Sequence, residues 1–72
     1  MASPYRQRYQ KFLRLLKAAR LERGLTQVQV AKALKRHQSF VSKCESGERR
    51  VDVVELQDFA KVYRVAPKDL LP

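Results

Sequence analysis

The chain predicts an all-α domain of five short helices, and three features carry that expectation. Apolar residues recur at helical spacing from Tyr5 to Ala19 and again from Val53 to Tyr63. Capping boxes, a side-chain oxygen followed three residues later by Gln or Glu, stand at Thr26–Gln29 and Asp52–Glu55. Nowhere do apolar and polar residues alternate long enough to build a strand.

The first helix starts at Ser3-Pro4, where serine caps free N–H groups and proline suits the first turn. At ~100° per residue, Tyr5, Tyr9, Phe12, Leu13, Leu16 and Ala19 fall in one arc of about 120°, the face that packs inward. Gly24 stops the helix. Basic residues stand at every third position, Arg8, Lys11, Arg14, Lys17, Arg20 and Arg23. A step of three wraps these charges around the helix, whereas a membrane-surface helix gathers them on one side. Arg20 also falls inside the apolar arc, and a buried guanidinium requires a carboxylate partner.

Thr26 opens a second helix to about Leu34, with Val30, Ala31 and Leu34 on one side. Lys35-Arg36-His37 breaks it. A third helix runs from about Gln38 to Ser46 and ends at Gly47, with Val41 and Cys44 on its inward face. Asp52 caps a fourth, to about Tyr63, whose stripe is Val53, Leu56, Phe59, Ala60 and Tyr63. Ala66-Pro67 starts a last short helix holding Leu70 and Leu71.

The 72 residues suffice for one domain, 1–72, with residues 1–8 extending the first helix. Sixteen Lys and Arg against seven Asp and Glu, a net charge of +9, suit a polyanionic partner. The single cysteine, Cys44, excludes an intrachain disulfide and fits a reducing compartment. The longest uncharged run, Gly24 to Ala31, is eight residues, far short of a membrane span. With no apolar signal block at the start, a cytoplasmic protein without membrane contact is expected.

Catalysis finds little support. His37 and Cys44 are the only His and Cys. They lie two helical turns apart, ~10 Å, too far for a nucleophile–base pair. No cluster has metal-ligand spacing, and two glycines cannot build a phosphate-cradling loop. Neither an enzyme nor a bound cofactor, metal or small molecule is expected.

The stretch TQVQVAKALKRHQSFVSKCESG, Thr26 to Gly47, holds two short helices joined by a three-residue turn. Small Ala31 stands where two helix backbones approach closely, and Val41 faces back towards it. This stretch resembles the lambda-repressor-like, Cro-type helix-turn-helix family, often called XRE. The resemblance extends from about Phe12 to Leu71. It includes Arg20, Gly24-Leu25-Thr26-Gln27, Ala31, Val41-Ser42, Glu45-Ser46-Gly47, the helix Val53 to Tyr63 and Asp69-Leu70-Leu71. It implies a compact lambda-repressor-like fold and a small transcriptional regulator, a repressor, with helix 38–46 in the major groove of double-stranded DNA.

The family pairs an arginine late in the first helix with a glutamate ending the recognition helix, and those positions match Arg20 and Glu45. Periodicity places Arg20 in the buried arc by a separate route. Major-groove reading needs side chains at the N-terminal part of a helix, and Gln38 lies there, with an amide suited to adenine. By resemblance Gln38, Ser39 and Lys43 occupy base-contact positions, with Ser42 close by. Lys43 either favours guanine or touches only phosphate. Gln27 matches the family's phosphate-binding glutamine. Lys35, Arg36, Arg49 and Arg50 flank the recognition helix as further phosphate contacts, and His37 faces the DNA backbone.

Lys35 stands where the family usually has glycine. Either the lysine adopts a left-handed backbone at a cost of roughly 1 kcal/mol, or the turn takes another shape. Phe40 is placed on the outward side, where it touches a thymine methyl or packs locally. Val62, Val65 and Leu70 either form a homodimer contact or complete the monomer core. A symmetric dimer implies a near-palindromic operator, with half-sites ~34 Å apart. The rival reading is a protein-interaction module of a regulatory or toxin–antitoxin complex on the same fold. The polar residues retained at Gln38, Ser39, Ser42 and Lys43 speak against it.

Overall fold

The computed structural model describes the chain from Pro4 to Pro72, with side chains from Arg6. Helix α1 spans Pro4–Glu22, α2 Gln27–Leu34, α3 Gln38–Ser46 and α4 Val53–Tyr63, and a 3-10 helix covers Pro67–Leu70. No strand occurs among the described residues. The expected Ser3 cap and the Tyr5 side chain lie outside the described residues.

The count of five helices needs correcting. There are four α-helices, and the expected fifth is a single 3-10 turn of four residues. Pro67 starts it, but Leu71 precedes Pro72 and is extended, with φ −83° and ψ 140°. The Leu71 N–H closes the turn on the Lys68 carbonyl at 3.2 Å, an i to i−3 bond.

Both ends of α2, α3 and α4 are closed by identifiable chemistry. Thr26 Oγ1 accepts from the Gln29 N–H at 3.1 Å, and Gln29 Oε1 accepts from the Thr26 N–H at 2.8 Å. Asp52 and Glu55 make the same reciprocal pair at 2.8 and 3.1 Å. His37 caps α3, its Nδ1 accepting from the Ser39 N–H at 3.1 Å. The α2–α3 turn keeps the left-handed shape despite its lysine: Lys35 has φ 58° and ψ 42°. Its N–H and that of Arg36 close onto the Lys32 and Ala31 carbonyls at 3.1 and 2.9 Å. Arg64 ends α4 in the same way, with φ 57°. Gly47, at φ 84°, also meets a close approach: a Cβ there would stand 2.9 Å from the Leu13 side chain.

The core draws on every element. Leu16 of α1, Val30 of α2, Val41 and Cys44 of α3, and Phe59 and Tyr63 of α4 are fully buried. Leu70 is 1% exposed, so it completes the monomer core and is closed to a dimer contact. Val62 and Val65 are half-buried against the same core. The arc expected on α1 is the inward face from Tyr9 onward, with Phe12, Leu13 and Leu16 buried and Tyr9 and Ala19 partly so. Tyr9 also pins the start of α1 to the α3–α4 loop, its hydroxyl accepting from the Val51 N–H at 3.0 Å.

Candidate nucleic-acid interface

The interface is built around α3, whose two sides differ sharply. At ~100° per residue, Gln38, Ser42, Ser39 and Lys43 span an arc of about 140°, and Phe40, Cys44 and Val41 occupy the opposite side. Burial follows that division. Gln38 and Lys43 are exposed, Ser39 and Ser42 are half-buried, and Phe40, Val41 and Cys44 are buried. Ser46 lies on the same polar arc and is exposed, a position the sequence reading passed over.

Behind the helix sits the charge pair. Arg20 Nε and Nη2 donate to the two Glu45 carboxylate oxygens at 2.6 and 3.0 Å, and Nη1 donates to the Leu25 carbonyl at 2.9 Å. The side chains are 9% and 4% exposed, so the end of α1 is joined to the end of α3 away from water. Bidentate geometry of this kind is what satisfies a buried guanidinium. The Glu45 hydrogen bond raises Arg20 above its ordinary pKa, against the opposing effect of burial.

Glu45 has a further partner that sequence reasoning missed. Gln27 Nε2 donates to Glu45 Oε1 at 3.1 Å, and Gln27 Oε1 accepts from Gln38 Nε2 at 2.9 Å. Arg20, Glu45, Gln27 and Gln38 thus form one continuous relay from the core to the tip of α3. The available signal was two glutamines, each the first residue of a helix, on either side of the turn.

The flanking groups fall into two sets. Lys35, His37 and Arg50 are exposed at the ends of α2 and α3 and in the α3–α4 loop. The Arg50 guanidinium lies over the Tyr9 ring, 4.7 Å from its centroid. Arg36 and Arg49 instead converge on Phe40, their guanidinium carbons 3.8 and 4.8 Å from the ring centroid. The outward placement expected for Phe40 is therefore corrected. Its ring is 9% exposed and stacks on Phe59, with centroids 6.0 Å apart and planes within 4°. The reason is angular: Phe40 lies ~200° around the helix from Gln38, on the core side.

Glu55 of α4 completes this cluster. Its Oε1 accepts from Arg49 Nη1 at 2.8 Å, and its Oε2 lies 3.9 Å from Arg36 Nη1. The Arg49 hydrogen bond holds the Glu55 carboxyl below the usual carboxylate range. Burial pushes the Cys44 thiol upward, away from the reactive thiolate. Among the described residues no group of three or more His, Cys, Asp or Glu could hold a metal ion, and no helix is long and apolar enough to cross a membrane.

Comparison with known proteins places this geometry. A family profile, the helix-turn-helix domain, matches residues 11–72. The chain belongs to the helix-turn-helix domain family. An XRE-family like protein from Pseudomonas syringae pv. tomato str. DC3000 has a solved structure that superposes with a TM-score of 0.87 at 47% identity. That match covers 92% of this chain and 80% of the other. No curated protein matches. The helix-turn-helix is therefore of the XRE type, with α2 and α3 as its two helices and Lys35 to His37 as its turn.

Proposed function

We propose that this helix-turn-helix protein is a small transcriptional regulator, a repressor, that binds double-stranded DNA with sequence preference through α3 in the major groove. The observation that carries this reading is the exposed polar arc of α3, held from behind by the Arg20–Glu45 pair. A helix that reads base edges must present amides and hydroxyls outward and be fixed in orientation from within.

Roles follow from placement. Gln38 at the tip of the helix meets an adenine edge, and Lys43 meets guanine O6 and N7 or a nearby phosphate. Ser39 and Ser42 lie between them. Lys35, Arg36, His37 and Arg50 provide phosphate contacts that fix the register. With His37 Nδ1 accepting from the Ser39 N–H, the proton of the neutral ring sits on Nε2, a donor for phosphate. Gln27 spends one amide hydrogen on Glu45 and keeps the other for a phosphate. Arg49, expected with this group, is held by Glu55 and is treated below.

The protein acts as a homodimer in the cytoplasm, on the nucleoid, at a near-palindromic operator with half-sites about 34 Å, or ~10 base pairs, apart. Support for pairing comes from apolar surface left uncovered: Val53, Val54 and Leu71 are 69%, 61% and 53% exposed. Selection of bound duplexes from a random pool tests the whole reading. An enriched two-fold symmetric motif supports it, and a pool that stays random overturns it.

A further inference from the structure

Two arginines flank α3, one in the turn before it and one in the loop after it, and a single carboxylate from α4 lies between them. Their situations differ. Arg49 is wired into the fold from both ends. Its backbone N–H donates to the Lys43 carbonyl at 3.1 Å. Its Nη1 donates to the Arg50 carbonyl at 3.1 Å and to Glu55 Oε1 at 2.8 Å, which takes both hydrogens of that nitrogen. Arg36 makes only an electrostatic approach to Glu55, at 3.9 Å, beyond hydrogen-bonding distance. Its guanidinium carbon lies over the Phe40 ring, 3.8 Å from the centroid, and its side chain is 45% exposed. Its forked donors stand ready for a phosphate.

We propose that Glu55 is a positioning residue that decides which of these arginines meets DNA: it withholds Arg49 as an internal staple of the α3–α4 loop and leaves Arg36, steadied on Phe40, as the phosphate contact. The inference rests on the DNA-binding reading above. Its chemistry is competition for one cation. The Arg49 side chain is 40% exposed and keeps donors beyond Nη1, but a phosphate there meets a cation whose charge Glu55 already neutralises, and Glu55 is only 12% exposed, so water does little to weaken its hold. Arg36 shares that carboxylate only at 3.9 Å, so more of its charge is left for a phosphate.

The test exploits the capping box. Glutamine is as good as glutamate at the third position of such a box, so Glu55→Gln removes the charge and keeps the cap of α4. The readout is the slope of log K against log [salt] for a random-sequence duplex. Each phosphate contact contributes about 0.9 to that slope. Arg36→Ala is expected to flatten the slope by about 0.9. Arg49→Ala is expected to lower the melting temperature and leave the slope unchanged. Glu55→Gln is expected to steepen the slope by up to about 0.9 as Arg49 is released, and the double variant Glu55→Gln/Arg49→Ala loses that gain. Glu48→Gln, an exposed acid of the same loop, controls for the change in net charge and leaves the slope as it was.

An Arg49→Ala slope as flat as that of Arg36→Ala overturns the proposal. So does a Glu55→Gln gain that survives in the double variant or is matched by Glu48→Gln. Wild-type protein that ignores duplex DNA at low salt overturns both this inference and the reading beneath it. Wild-type binding with the wrong pattern among the variants overturns this inference alone.

Discussion

Gln38, the first residue of α3, donates a hydrogen bond to Gln27, the first residue of α2, at 2.9 Å. Because Gln27 also bonds Glu45, the outermost base-contacting candidate is oriented by a network rooted in the buried charge pair. Gln27→Ala should therefore do two things. It should cost about 1.5–3 kcal/mol of stability, the range for a hydrogen bond to a charged group. It should also weaken discrimination between the selected DNA site and random DNA, by freeing Gln38. Chemical denaturation and paired binding titrations read the two effects separately, and normal discrimination would remove Gln27 from the network's function.

The Arg20–Glu45 pair makes a sharper stability prediction. Removing one partner leaves the other charged, buried and short of its partner, so Arg20→Ala should cost on the order of 3–5 kcal/mol. The double replacement Arg20→Met/Glu45→Leu should be less damaging than either single truncation, because no unpaired charge remains. Melting curves of the three variants decide this, and an unchanged melting temperature for Arg20→Ala would show that the pair contributes nothing.

Acid should loosen the cluster around Phe40. Arg49 holds the folded-state Glu55 carboxyl below its ordinary value. The groups facing it are Arg49, Arg36 and the Asp52 N–H. A depressed carboxylate stabilises the fold above its unfolded pKa, about 4.3, and that stability is lost as pH falls through the folded value. Melting temperature should accordingly drop below about pH 4–5, and less steeply in Glu55→Gln than in the wild type. Parallel acid profiles for the two proteins would count against the Glu55–Arg49 link.

Lys35 occupies a left-handed position, φ 58°, that glycine adopts at no steric cost. Lys35→Gly should raise stability by up to about 1 kcal/mol, with the gain trimmed by the larger freedom of glycine in the unfolded chain. The removed charge should flatten the salt dependence of DNA binding as well. A destabilised Lys35→Gly would mean that the lysine side chain makes a compensating contact in the fold.

Much of this architecture was legible because local chemistry and tertiary packing agree. The two capping boxes start α2 and α4 where Thr26 and Asp52 stand. The period of α1 sets Arg20 among apolar residues, where it meets Glu45. The last helix was over-read, because Pro67 signals a beginning while Pro72 limits the end. Phe40 was misplaced for want of its angular position: an aromatic beside Gln38 and Ser39 in sequence lies across the helix from Gln38 in space. The Gln27 bridge and the convergence of Arg36 and Arg49 on Glu55 depend on how α2, α3 and α4 pack together. Spacing along the chain does not encode contacts of that kind, since Gln27 and Glu45 are 18 residues apart.

The polar arc of α3 is best interrogated at Gln38. Affinities of the wild type and Gln38→Ala should be measured at one salt concentration, on the selected site and on random duplex of the same length. A lost bidentate base contact predicts a penalty of about 1–3 kcal/mol on the selected site. Random DNA, held through phosphates, should be bound nearly as before. Equal losses on both duplexes, or a wild type that binds neither, would contradict base reading by this helix.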